Sequence, residues 1–334
     1  MTIFISLLYF SRTNYNYFNN GEIMDIYFFE YALGSGEIVD KNILEEGRLM
    51  FDRLLKDFLK QGYSVLSIVD IKYYDTIMEN YKQEKNLNII ALEEGQNYKL
   101  KIKELLNSPT TNLKYGLIIA PECDNILYDL TKLLESSNTI NLGAPSKAVE
   151  IAGDKYLTYL KIKDSVKTPK TLQPDKYIVK EIDGCGGERQ VINNNSIIQE
   201  FIEGESYSVS FIVGEHSIYP LCLNKQYIKE CYCGGETNID HPLKEEIINQ
   251  CKKAIQTIGG FNGYVGVDVI INNENIYILE INPRITTSII GIDTNPSLST
   301  LLVNNALKNR LKYTVKKGKK FIVNNEILNC GDTE

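Results

Sequence analysis

Two apolar segments carry the residues best suited to chemistry. In NIYILEINPRITTS (275–288), Glu280, Asn282 and Arg284 stand at alternate positions around Pro283, at the end of an apolar run. In GYVGVDVII (263–271), Asp268 stands among valines and isoleucines. Side chains alternate along a strand, so Glu280 and Asn282 share a face, as do Tyr264, Gly266, Asp268 and Ile270. If the turn between the strands has an odd residue count, 273–275 for example, Asp268 falls opposite Glu280. Two carboxylates and an amide oxygen then converge, a donor set suited to Mg²⁺ or Mn²⁺. Two buried carboxylates without a cation are costly. The competing possibility is that both acids pair with lysines or lie on an open sheet edge.

A cation held this way usually holds phosphate oxygens as well. VKEIDGCGGERQ (179–190) sets Lys180 on a strand and follows it with Gly184, Gly186 and Gly187, whose backbone N–H groups can close on phosphates. GDKYL adds Lys155 at the start of a helix. In IIQEFIEGESYSVS (197–210), Gln199, Glu200, Phe201 and Ile202 form a candidate hinge whose amides read an adenine edge while apolar side chains cover the ring. The same stretch also reads as a plain strand and turn at EGE. Two lysines, a glycine loop and a carboxylate hairpin together are far more specific than any one of them.

These pieces need a scaffold. Apolar runs at 25–32, 63–70, 87–92, 115–121 and 139–145 read as strands, with helices over 42–62 and 124–137. Strands alternating with helices predict a parallel α/β sheet covered on both faces. GSG (34–36) lacks the full dinucleotide fingerprint, so a redox enzyme is disfavoured. After Pro145 the pattern predicts one helix over 146–165, short strands over 177–213, a helix over 241–259, a hairpin of 263–271 with 276–281, and a helix near 297–310. A short strand, FIVNN, follows.

Length and composition set limits. The chain has 334 residues, enough for two or three domains. A net charge of −7 and no basic stripe argue against nucleic acid as a partner. No apolar run reaches the roughly 18–20 residues of a membrane span. MTIFISLLYF is a poor signal peptide, with no preceding positive charge and no small-residue cleavage site. Residues 1–23 read as an extension foreign to the fold or a misplaced start, or equally as a real, loosely ordered arm. Seven scattered cysteines predict reduced thiols in a cytoplasm. CYC at 231–233 lacks zinc spacing, and two histidines are too few for a histidine metal site.

In order, these residues resemble the ATP-grasp superfamily over roughly 145–290. The resemblance implies an ATP-grasp fold, α+β in its ATP-binding part, behind a Rossmann-like α/β domain at 24–145. The ATP-grasp part would span 146–315, with a small lobe at about 165–205, a second lobe at about 206–315, and a strand and tail at 316–334. It also implies that Lys155 and Lys180 hold phosphates, that DGCGG covers them, and that QEFIEG is the adenine hinge. Asp268, Glu280 and Asn282 would bind two Mg²⁺ or Mn²⁺ ions, and Arg284 the acyl phosphate or its oxyanion. Thr286, Thr287 and Ser288 would line the substrate end. Ser206 departs from the acidic ribose-binding residue of many members, with Glu205 beside it.

The GxSxS form resembles a subgroup of carboxylate–amine ligases that includes the pyrrolysine-pathway ligase, and FFEYALGSG, ILEEGRLMFDRLLKDF, GGETNIDHPL and EINPRITTS are similar to its branch that joins L-glutamate to tyramine in methanofuran biosynthesis. That resemblance implies small-molecule substrates and ATP as co-substrate. A ligase of another amino acid and amine, as in the pyrrolysine pathway, shares the same ATP and metal motifs. A non-catalytic ATP-binding module would lack a metal ligand or Arg284, and the set is intact.

Overall fold

The runs IYFFE, VLSIVD and YGLII are apolar on both faces, so they need cover on both sides. The computed structural model describes residues 25–109, 111, 113–179, 190–229 and 231–323. Its first sheet contains β1 (Ile26–Glu30), β2 (Val65–Asp70), β3 (Leu87–Leu92), β4 (Tyr115–Ile119) and β5 (Ile140–Asn141). Their order is β3-β2-β1-β4-β5, all parallel. Alternation splits β1 between two cores. Tyr27 and Phe29 enter one, Ile26 and Phe28 the other. The predicted strand 25–32 stops at Glu30, because the short helix α1 (Tyr31–Gly34) begins there, capped by the Glu30 carboxylate. The strand predicted over 139–145 pairs over two residues only.

Helices α2 (Lys41–Lys60), α3 (Ile71–Asn80), α4 (Tyr98–Leu106) and α5 (Ile126–Glu135) cover this sheet. The helix predicted over 146–165 is two, α6 (Ser146–Ala152) and α7 (Lys155–Ile162). Asp154 is extended (φ −99°, ψ 109°) and accepts from the N–H groups of Tyr156 and Leu157. A side chain that caps a new helix cannot lie inside the old one.

Four short strands follow as separate pairs: β6 (Thr171–Leu172) with β9 (Ile198–Gln199), and β7 (Lys176–Val179) with β8 (Gln190–Asn193). The second large sheet is antiparallel. It holds β10 (Glu205–Val213), β11 (Ile218–Ile228), β12 (Tyr232–Glu236), β13 (Gly263–Asn272) and β14 (Asn275–Asn282). Its order is β14-β13-β10-β11-β12, then the strand Lys320–Ile322. β11 and β12 are additions to the elements read from sequence. Tyr207, Val209, Val265, Val267 and Ile278 pack with α8 (Lys244–Ile258) on one face. The opposite face is polar and carries the candidate site.

The two halves are fastened directly. Asp57 on α2 accepts the Ser299 N–H at the start of α9 (Leu298–Ala306) at 2.9 Å. Arg53 donates to the Ile292 carbonyl at 2.9 Å and reaches Asp293 at 3.2 Å. Among the described residues, no helix is long and apolar enough to cross a membrane. The five described cysteines are free thiols.

Candidate active site

Asp268 and Glu280 are direct cross-strand partners. The expected odd turn is not what aligns them. The turn has two residues, Asn273 and Glu274, because Asn272 pairs with Asn275. A bulge between Asp268 and Val269 makes the correction: Val269 pairs with Ile278 and Asp268 with Glu280, so Leu279 is the extra residue. The bulge reverses the phase of β14. Ile276 and Ile278 face the core, whereas Glu280, of the same parity, faces the polar side with Asp268.

The polar face extends across the sheet. Ser208 on β10 is opposite both Asp268 and Asn224. Gln226 donates to Asp268 Oδ1 at 3.1 Å, and Asn282 donates to Oδ2 at 3.1 Å. Asn224 donates to the Ser208 and Ser210 hydroxyls at 3.3 and 3.1 Å. Tyr264 meets Ser210 and Thr286, each at 2.8 Å. The alternation Ser206, Ser208, Ser210 in ESYSVS was the available signal for this polar floor, and the sequence reading used its first two serines only as part of the GxSxS form. Asn224 and Gln226 lie on an unread strand.

Burial, then the neighbouring Glu280 charge, pushes the Asp268 carboxyl far above the carboxylate range. Glu280 is half-buried, yet Lys155 holds its pKa below the usual value. The Lys155 ammonium lies 2.7 Å from Glu280 Oε2. Burial opposes that ammonium's charge, but Glu280 keeps its pKa raised. A cation is therefore already paired with Glu280, one of the two acids. Among the described residues no three His, Cys, Asp or Glu side chains gather to hold a metal. The candidate set has two carboxylates and one amide. Hard oxygen donors of this kind fit Mg²⁺ or Mn²⁺.

Arg284 follows the same face and meets residues the sequence reading missed. Its Nε donates to Glu122 Oε1 at 2.8 Å, and Nη1 to its neighbour's carbonyl, Ile285 O, at 3.2 Å. Glu122 lies three residues beyond β4, in the parallel-sheet half. Two further acids feel the Arg284 charge. Burial raises Glu30 to about 7, against two backbone N–H bonds from Leu33 and Ala32. Burial likewise raises Glu46 on α2, which accepts from the Thr287 hydroxyl. Ser288 approaches Ser208 at 3.5 Å. Thr286 and Ser288 thus bond within the antiparallel-sheet half, and Thr287 bonds across the seam to α2.

The hinge candidates sit apart on the small strands. Gln199 donates to the Thr171 hydroxyl at 3.0 Å. The Glu200 N–H bonds the Lys170 carbonyl at 2.8 Å, and the Glu200 carboxylate accepts the Lys170 N–H at 3.1 Å. Ile202 is half-buried, but Phe201 is 86% exposed, so in this structure its ring covers nothing. Glu205, beside Ser206, is bound to Lys225 at 2.6 Å and to the Tyr207 hydroxyl at 2.7 Å. Lys180, Gly184, Gly186 and Gly187 lie outside the described residues, as does the segment 1–23.

Residues 152–288 match the ATP-grasp domain family, and residues 77–149 match the pre ATP-grasp 3 domain family. The tyramine–L-glutamate ligase of Methanocaldococcus jannaschii is 54% identical over 299 residues, covering 89% of this chain and 94% of that protein. The enzyme of the same name from Methanocaldococcus fervens is 52% identical, covering 90% and 99%. Among solved structures, an ATP-grasp superfamily protein from Archaeoglobus fulgidus superposes with a TM-score of 0.66 at 28% identity, covering 89% of this chain and 99% of that one. The chain belongs to the ATP-grasp family, in the group of the methanogen tyramine–L-glutamate ligases, and is an ATP-dependent carboxylate–amine ligase.

Proposed function

We propose that the chain joins the side-chain carboxylate of L-glutamate to the amine of tyramine, giving γ-glutamyltyramine, ADP and phosphate. The observation that carries this is 54% identity to a tyramine–L-glutamate ligase along 89% of the chain. An intact Asp268, Glu280, Asn282 and Arg284 set supports it.

A carboxylate resists attack by an amine because it is anionic and has a poor leaving group. The γ-carboxylate oxygen attacks the terminal phosphorus of ATP, and the bond to ADP breaks. The amine nitrogen then attacks the acyl carbon, and phosphate departs with the electron pair of the C–O bond. The ammonium substrate loses two protons in all; one leaves with phosphate as hydrogen phosphate and one enters solution. Mg²⁺ or Mn²⁺ held by Asp268, Glu280 and Asn282 would supply charge neutralisation at the phosphates.

The remaining work belongs to side chains. Glu280 would be a ligand of the metal, which would free Lys155 for a phosphate oxygen, and Lys180 with Gly184, Gly186 and Gly187 would cover the phosphates. Gln199, Glu200, Phe201 and Ile202 receive the adenine. Arg284 holds the acyl phosphate and the oxyanion formed from it. Thr286, Thr287 and Ser288 line the substrate end and help to exclude water from the acyl phosphate. In this reading the parallel-sheet domain runs to about residue 145 and the ATP-grasp domain from 146 to 315. The five free thiols among the described residues suit a cytoplasmic enzyme.

The test is ADP release by the purified chain with Mg²⁺, ATP and L-glutamate, with and without tyramine, with product mass read in parallel. The reading requires turnover that depends on both substrates and a γ-glutamyltyramine mass. ATP turnover indifferent to both would discard the substrate pair.

A further inference from the structure

The cleft between the two halves has more acidic than basic groups. Among the described residues around Arg284, five carboxyls (Glu30, Glu46, Glu122, Asp268 and Glu280) face two cations, Lys155 and Arg284. Under the proposed reaction, Asp268 and Glu280 would hold the metal, Lys155 a phosphate oxygen and Arg284 the acyl phosphate. Glu30 is already satisfied by the Ala32 and Leu33 N–H groups at 3.1 and 2.9 Å. Glu122 remains the partner of Arg284. Glu46 is then the carboxylate without a cation.

Its surroundings explain why that matters. Among the described residues Glu46 makes one hydrogen bond, to the neutral Thr287 hydroxyl, and no ion pair. It sits on α2, which packs against the 3₁₀ turn Thr287–Ile290 at the seam. The Tyr232 phenol is near it, and burial, then Glu46 itself, keeps that phenol protonated. A largely buried carboxylate with one neutral donor is unfavourable unless a cation arrives. Both substrates bring an ammonium. The donor's carbonyl must lie at Arg284. Thr287, which bonds Glu46, is three residues further along the same segment, so Glu46 flanks the acyl position and belongs to the group approaching it.

We infer that Glu46, oriented by Thr287, binds the ammonium of the acceptor amine and selects a cationic primary amine as the second substrate. This rests on the proposed ligase reaction. Two acceptors separate the possibilities: tyramine, a cation at neutral pH, and hydroxylamine, which is largely neutral there and traps the γ-glutamyl phosphate as a hydroxamate.

In Glu46→Gln, the KM for tyramine should rise at least tenfold. The glutamate KM measured by hydroxamate formation should stay within about twofold of wild type. Inhibition by 4-ethylphenol, the tyramine shape without its amine, should be unchanged in the variant, so the wild-type preference for the cation collapses. Glu46→Asp, which keeps the charge, should restore part of the tyramine affinity and covers the case in which the glutamine variant folds poorly. An unchanged tyramine KM, or a raised glutamate KM in the hydroxamate assay, overturns the assignment. A wild-type enzyme that forms neither hydroxamate nor γ-glutamyltyramine from glutamate overturns the underlying reaction instead.

Discussion

Arg284 Nε and Glu122 Oε1 lie 2.8 Å apart although 162 positions separate them in the chain. The two side chains are 23% and 18% exposed, so the pair is mostly withdrawn from water. It joins the end of the carboxylate hairpin to the loop after β4, and it fixes where the guanidinium points.

Removing Glu122 should therefore harm both stability and catalysis. Loss of one partner from a largely buried pair costs about 3 kcal/mol. Glu122→Ala should unfold at a lower temperature and lose roughly 10- to 100-fold in kcat/KM as Arg284 loses its orientation. Calorimetry and ADP-release kinetics measure the two effects. A variant with wild-type kinetics would mean that Glu122 serves only the fold.

Glu280→Ala should separate chemistry from folding. Its one ion pair among the described residues is with Lys155, whose side chain is 61% exposed, so the stability change should stay within about 1 kcal/mol. The fall in kcat should be on the order of 10³-fold. Raising Mg²⁺ or Mn²⁺ should not restore the rate. An active variant would remove Glu280 from the metal set.

Gly47 leaves room for Glu30. A Cβ there would lie 2.6 Å from Glu30 Oε1 and 2.8 Å from Oε2. The carboxylate is pinned by two N–H groups and cannot move without uncapping α1. Gly47→Ala should thus destabilise by about 1–3 kcal/mol through overpacking, against a gain in helix propensity of about 1 kcal/mol. In the double variant with Glu30→Ala the loss should be less than additive, as thermal unfolding of the four proteins would reveal.

Glu30 also makes a pH prediction. Burial raises its pKa from 4.5 to about 7, so in that interval the folded state holds a proton the unfolded chain has released. Its contribution to stability is full below the unfolded value and is lost as pH rises through about 7. The difference in unfolding temperature between wild type and Glu30→Gln should accordingly shift against wild type from pH 5 to pH 8. A difference constant across that range would contradict the raised pKa.

Much of this was legible in the chain. Asp268, Glu280, Asn282 and Arg284 stand out because charge is expensive in apolar strands, and the parallel sheet shows in its apolar runs. What was hidden is equally physical. The bulge at Leu279 leaves no mark in composition, so strict alternation gives the right pair of carboxylates by the wrong turn. Glu122 and Glu46 look like ordinary surface acids until two distant segments are folded against them. β11 was missed because residues such as Pro220, Asn224, Lys225 and Gln226 blur its apolar pattern, although it lies inside the sheet.

The Leu279 bulge works as a change of reading frame within the hairpin. Everything from Glu280 onward is phased by that one supernumerary residue, whereas Asn273 and Glu274 at the tip only close the loop. Lengthening the tip should leave the two carboxylates facing each other. Deleting Leu279 should remove the bulge and regularise the ladder, with Glu280 next after Ile278, still opposite Asp268, and Ile281 still in the core. Neither change separates the carboxylates, and the tip, which lies outside both strands, is the place to graft a reporter into this enzyme.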